Sequence, residues 1–308
     1  MGTTPPSRPL EVLLATDLSA ASLPHLTFAA RLVHQLGGRS TLFHAAVPLP
    51  MTVPLTPAEV PYAPVVDVEA SRRQLQEIAA TLPVDRPVHV AIERASNARK
   101  AILDAAERLH ADLLVLPSHG RSGLPRALLG STAEDVVRHA TRPVLLVTDH
   151  MLRPAVPQRA ERRFVMVPID LADAATTALV PAAELAQRLH LPLLLMAVLP
   201  TREGPPLGGG APVAPRPSDP QQRVQHALRE LRQLAMTLGN DVPTEVFACL
   251  ADEAAAAIVA KAAELDAGLL VVATHGRTGL ARLFRGSVAE SLVRTAEVPV
   301  VCVPMPHD

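Results

Sequence analysis

Two aspartates and two glycine segments are the residues of this chain best suited to hold a charged small molecule. Asp17 and Asp170 each close a short apolar run, LEVLLATD at 10–17 and RFVMVPID at 163–170. Later in the chain, residues 118–147 read SHGRSGLPRALLGSTAEDVVRHATRPVLLV and residues 274–303 read THGRTGLARLFRGSVAESLVRTAEVPVVCV. In these segments Gly130-Ser131 and Gly286-Ser287 open helical patterns, with Glu134 and Glu290 at the Ser-x-x-Glu spacing of a capping box. A glycine ahead of a helix N-terminus lets a phosphate reach free backbone N–H groups and the positive end of the helix dipole. Ordinary capped helices with turn glycines would carry the same residues. Asp17 and Asp170 also have two readings. An aspartate after a strand can cap the next helix, or it can hold an adenine or ribose edge.

The elements that position these residues recur in the same order in two copies. The glycine segments align at an offset of 156 without a gap, with 16 of 30 positions identical, and the two apolar runs align at an offset of 153. A repeat of this length is a duplicated domain, not a short-period solenoid. The reading places domains at 1–150 and 160–308, joined by a polar, proline-bearing linker over 148–163. In copy one, strands are predicted at 11–15, 40–47, 88–93, 113–116 and 144–147. Helices are predicted at 22–36, 68–81, 97–110 and 131–140, and Gly37-Gly38 supplies a left-handed stop to the first. In copy two, strands fall near 164–168, 193–198, 244–248, 269–272 and 300–303, and helices near 174–189, 221–238, 253–265 and 287–296. The strands read as nearly continuous apolar runs, as in a parallel sheet covered by helices on both faces. The βαβ alternation specifies an α/β, doubly wound, Rossmann-like fold in each copy. In such sheets ligands bind beyond the carboxyl ends of the strands, where strand order reverses. If the first and fourth strands are neighbours, acid and glycines face one crevice. Pro-rich stretches at 48–64 and 200–220 follow the second strand of each copy. A lid over a ligand and a disordered insertion both fit them.

Composition narrows the function classes. Hydrophobic residues make up 48% of the 308 positions and charged residues 19%, which excludes a disordered chain. Five Phe, one Tyr and no Trp leave the core to Ala, Val and Leu and equip the chain poorly for stacking single-stranded nucleic acid. The net charge of -1 gives no field to recruit nucleic acid. The two cysteines, Cys249 and Cys302, make neither a disulfide framework nor a zinc site. They read as small core hydrophobes of a reduced, cytoplasmic protein. The N-terminus lacks the features of a signal peptide, and the longest apolar run, 191–200, falls short of the ~20 residues needed to span a bilayer. The histidines show no metal-ligand spacing. Walker A and Gly-x-Gly-x-x-Gly are absent, which argues against a motor ATPase and a dehydrogenase. His119 and His275 read as turn residues, and Asp252-Glu253 as a helix start.

Each copy resembles a universal stress protein domain. The family's nucleotide-binding pattern is Gly-x2-Gly-x9-Gly-(Ser/Thr) after the fourth strand, with an Asp after the first. Its later glycines match Gly120 and Gly130-Ser131 in copy one, and Gly276 and Gly286-Ser287 in copy two. The resemblance covers nearly the whole chain. It implies a five-stranded parallel sheet in each copy and ATP, with Mg2+, as ligand. By this similarity Asp170 meets the adenine end, Ala197 or Val198 lines the base, and Gly276, Arg277, Gly286 and Ser287 meet ribose and phosphates. Asp17, Ala46, Gly120, Gly130 and Ser131 are the expected equivalents in copy one. The resemblance also implies that the final strands pair between the halves, which then pack pseudo-symmetrically, and that the chain forms a homodimer. Pro117 and Ala273 stand where the pattern has its first glycine. Ala273 adds one methyl group, whereas Pro117 adds a ring and removes an N–H. Copy two is therefore the expected nucleotide site. With its Asp and Gly-Ser pairs retained, the resemblance implies a nucleotide-binding stress-response regulator, with slow ATP hydrolysis at most. A non-nucleotide interaction protein of the same fold is the alternative.

Overall fold

The computed structural model describes residues 8–48, 67–117, 130–152, 163–171, 176–202, 219–239, 241–274 and 288–304. The chain divides into two compact units between Asp149 and His150, and Arg8 belongs with the second.

The first unit runs β1 (Glu11–Ala15), α1 (Leu23–Gln35), β2 (Arg39–Ala46), α2 (Val68–Thr81), β3 (His89–Arg94), α3 (Ala98–Arg108), β4 (Leu113–Pro117), α4 (Ser131–His139) and β5 (Val144–Val147). Its sheet is parallel, in the order β3-β2-β1-β4-β5. A short helix, α5 (Asp149–Leu152), follows. The second unit continues with β6 (Phe164–Pro168), α6 (Leu179–Leu189), β7 (Leu193–Leu199), α7 (Pro220–Thr237), β8 (Thr244–Leu250), α8 (Ala254–Glu264), β9 (Ala267–Ala273), α9 (Val288–Thr295) and β10 (Val300–Val303). Its parallel order is β8-β7-β6-β9-β10. Each unit is thus a five-stranded Rossmann-like α/β layer. No helix among the described residues is long and apolar enough to cross a membrane.

The inner strands behave as their apolar runs require. Leu13, Leu14, Leu114, Leu145 and Leu146 in the first unit, and Val165, Met166, Leu195 and Leu270 in the second, are almost wholly removed from solvent. β3 and β8 depart from the expectation of uniformly buried strands. Each has one strand neighbour among the described residues, and most of their side chains are half-buried. The polar linker also begins differently. Asp149–Leu152 forms a helical turn in which Met151 is buried. A 3-10 turn, Ala20–Ser22, precedes α1, and Thr176–Ala178 does the same before α6.

Gly37 takes the left-handed conformation expected of a helix stop, at φ +70°. Gly38 is required for a different reason. A Cβ there would lie 2.8 Å from Val33 Cγ1 and 3.1 Å from the Leu10 carbonyl.

The two cysteines differ in environment. Cys302 is buried in β10, and burial pushes its thiol up to about 12. Cys249, half-buried in β8, is raised by burial against an opposing pull from Lys261. The thiolate is the reactive form, and a pKa near 12 leaves about 10⁻⁵ of Cys302 ionised at pH 7. Iodoacetamide is expected to label Cys249 slowly in the native protein and Cys302 only in denaturant. Peptide mass spectrometry checks this, and native labelling of Cys302 first would contradict it.

Candidate functional site

In both units the strand after the crossover lies beside the first: β1 pairs with β2 on one side and β4 on the other, and β6 with β7 and β9. Strand order therefore reverses between β1 and β4, and between β6 and β9. The residues that leave β1 and β4, or β6 and β9, share one sheet edge, which is where an open α/β sheet opens a crevice.

In the first unit the β1 exit is closely held. Thr16 is buried, and its N–H donates to the Phe43 carbonyl at 2.9 Å. Asp17 turns back on its own segment. Its Oδ1 accepts from the Ser19 N–H at 2.9 Å and the Ser19 hydroxyl at 2.7 Å, an Asx turn ahead of the 3-10 segment. Pro117 ends β4 opposite Val147. Gly130 follows as the N-cap of α4, with extended backbone and no side chain capping the first turn.

The capping box expected at Ser131 does not form. Gly130 occupies the cap, so Ser131 is already the first helical residue, one place too late for its hydroxyl to serve as the cap acceptor. Glu134 reaches forward instead, to Arg138 at 2.8 Å. The same pair recurs in the second unit between Glu290 and Arg294. In both copies the carboxylate that suggested a capping box is an i,i+4 ion-pair partner.

In the second unit Asp170 is exposed just beyond β6. Ala273 ends β9 opposite Val303. The next residue, Thr274, is buried and donates through its N–H to the Val303 carbonyl at 3.0 Å. Ala197 is wholly buried and Val198 half-buried in β7. The register revises the expected equivalence of these positions with Ala46. Ala15 pairs with Phe43 and Pro168 with Met196, both at the offset of 153. The counterparts of Ala197 and Val198 are therefore His44 and Ala45, and that of Ala46 is Leu199. Gly120, Gly276, Arg277, Gly286, Ser287, His119 and His275 lie outside the described residues.

Several polar residues at these edges carried no recognisable signal in the sequence. His44 donates from Nδ1 to the Thr16 carbonyl at 2.8 Å. His25, buried in α1, donates from Nδ1 to the Ala21 carbonyl and sets Nε2 3.0 Å from Asp149 Oδ1. Asp252 Oδ1 accepts from the Thr201 N–H at 3.2 Å and from the Thr201 hydroxyl, while Arg223 donates to the Pro200 carbonyl at 2.8 Å. Glu253 takes the N-cap place of α8, in keeping with a helix start at that dipeptide. Apart from that of His25 with Ala21, these contacts join residues 23 or more positions apart, so no local pattern announces them.

The model of the universal stress protein family matches twice, at residues 11–148 and 161–304. The chain belongs to the universal stress protein family. It is a tandem member, with one family domain in each unit. Among curated relatives, "Universal stress protein Rv2005c" of Mycobacterium tuberculosis is 34% identical over 193 residues, 62% of this chain and 61% of that protein. The match thus spans about three fifths of that relative's length. A universal stress protein of Mycolicibacterium smegmatis is 26% identical over 95% of this chain and 96% of its own. Among solved structures, a universal stress protein from Archaeoglobus fulgidus superposes with a TM-score of 0.64 at 20% identity, covering 96% of each chain, and shares the fold.

Proposed function

We propose that this tandem universal stress protein is a stress-response regulator that binds an adenine nucleotide, ATP with Mg2+, at the carboxyl edge of the second domain's sheet. The observation that carries the reading is the exposed Asp170 at the β6 exit, beside β9, where strand order reverses. The donor chemistry fits the ligand. In the described copy, a glycine N-cap leaves the first turn of α4 without a side-chain cap, which suits a phosphate approaching backbone N–H groups. By the repeat, Gly286 and Ser287 are its counterparts in the second domain, with Gly276 and Arg277 toward the ribose and phosphates and Val198 toward the base. The nucleotide would supply a bound state that protein partners, a second copy among them, read out.

The specific observation behind a second reading is the pair Pro117 and Ala273 at the ends of β4 and β9. These positions favour a non-nucleotide interaction protein of the same fold. The two readings separate on the nucleotide content of protein purified without added ligand, followed by calorimetric titration with ATP and Mg2+. Saturable binding below millimolar ATP is expected, and no binding at millimolar ATP overturns the nucleotide reading.

A further inference from the structure

The main chain that leaves β7 is held from two sides. Asp252, just beyond β8, accepts at Oδ1 from the Thr201 N–H at 3.2 Å and from the Thr201 hydroxyl. Arg223 of α7 donates from Nη2 to the Pro200 carbonyl at 2.8 Å. The Ala251 N–H donates to the Leu199 carbonyl at 2.8 Å. Leu199, Pro200 and Thr201 thus each have a main-chain group bound from the β8 exit or from α7. Pro200, Thr201 and Asp252 are exposed, so these contacts compete with water and add little to stability. What they fix is the position of the backbone.

The first domain can make only part of this clasp. Its Ala95 N–H donates to the Ala46 carbonyl at 3.2 Å, the counterpart of Ala251 and Leu199 at the offsets of 156 and 153. Thr201 has Pro48 as its counterpart, and Asp252 has Ser96. Proline offers neither an N–H nor a hydroxyl to an acceptor. The Asp252–Thr201 contact therefore belongs to the second domain by residue type alone.

Val198 stands just before these residues, and strand alternation sets which way its main chain faces. The Pro192 carbonyl accepts from the Val165 N–H and the Met196 carbonyl from the Ile169 N–H, both on the β6 side. The Leu193 N–H donates to the Pro243 carbonyl and the Leu199 carbonyl accepts from the Ala251 N–H, both on the β8 side. Even-numbered residues along β7 therefore turn their main-chain polar groups toward β6. β6 ends at Pro168, opposite Met196, so at Val198 these groups face the edge where the chain runs on to Asp170.

We propose that Asp252 is a positioning residue for the base of the bound nucleotide. Through Thr201, with Arg223 on Pro200, it fixes the end of β7 so that the Val198 main chain meets the purine edge in one register. This role rests on the nucleotide reading above. Adenine presents an amino group where guanine presents a carbonyl. A main-chain edge held in one place pairs with one pattern and leaves the other unpaired, whereas an edge free to shift accommodates both.

Calorimetric titration of the full chain with ATP and with GTP, each with Mg2+, tests this. The wild-type chain is expected to prefer ATP. Asp252→Ala removes the acceptor and is expected to weaken ATP about tenfold or more and GTP by less, so that the preference falls. Asp252→Asn keeps an acceptor oxygen and is expected to stay within a few-fold of wild type. Thr201→Pro installs the residue of the first domain and removes both donors. It is expected to behave as Asp252→Ala, and it decides the matter should that variant fail to fold. ATP affinity unchanged in these two variants overturns the positioning role alone. So does an equal loss of ATP and GTP, which a merely structural contact would give, and so does equal binding of both by wild type. No ATP binding by the wild-type chain defeats the nucleotide reading, and this role with it.

Discussion

Gly286→Val is expected to abolish ATP binding, while Gly130→Val leaves the affinity within a few-fold of wild type. The repeat makes the two positions equivalent, at an offset of 156. The described one shows what glycine does there. Gly130 is a helix N-cap with extended backbone at φ −62° and ψ 141°, a conformation open to valine, so the substitution is not excluded by strain. What valine changes is the approach. A branched side chain ahead of the first turn covers the N–H groups that a phosphate must reach. Each charge-assisted hydrogen bond to such a group is worth about 1.5–3 kcal/mol, so losing two weakens binding about 100-fold or more. The asymmetry between the variants follows from the domains. Domain 1 ends its fourth strand in Pro117 and holds Asp17 in its own turn. Domain 2 ends in Ala273 and exposes Asp170. Titration calorimetry of both variants checks the ranking, and equal effects would refute it.

The second large effect is on stability. Phe43→Ala is expected to lower the unfolding free energy of domain 1 by about 3–5 kcal/mol. Phe43 is 1% exposed in β2, between Ala15 of β1 and Ala91 of β3. Both strand neighbours are alanines, so the ring fills space that no adjacent cross-strand side chain can fill. Its counterpart at the offset of 153 is Met196, also 1% exposed, between Pro168 and Phe247. Met196→Ala is expected to cost domain 2 about 2–5 kcal/mol. Small domains are stable by about 5–15 kcal/mol, so either change removes a large share. Denaturant titration followed by far-ultraviolet circular dichroism measures the loss. A value under about 1 kcal/mol for Phe43→Ala would contradict its place in the core.

The sequence by itself determined the architecture of each half. Apolar runs with β periodicity, helical patterns between them and a 150-residue self-similarity are local or regular signals. They were enough to locate strands such as Glu11–Ala15, Phe164–Pro168 and Val300–Val303. They were also enough to bring out the two aspartates and the glycine-serine pairs, because duplication marks a spacing twice. Local reading failed where two interactions compete for one side chain. Glu134 has the spacing of a capping box, yet Gly130 takes the cap and Arg138 takes the carboxylate. The Ala46 equivalence failed for a related reason. Strand register, not position within an apolar run, decides which residues correspond.

Only the tertiary structure decided how the two acids differ. Thr16, Ser19, His25 and His44 are unremarkable in the chain, and the partners of His25 and His44 lie up to 124 residues away. Hydrogen bonds between distant residues leave no periodic trace, since their geometry exists only once the strands are paired and the helices are packed on them. Aspartate at 17 and 170 is therefore one letter in the sequence and two environments in the fold, one closed on Ser19 and one open to solvent.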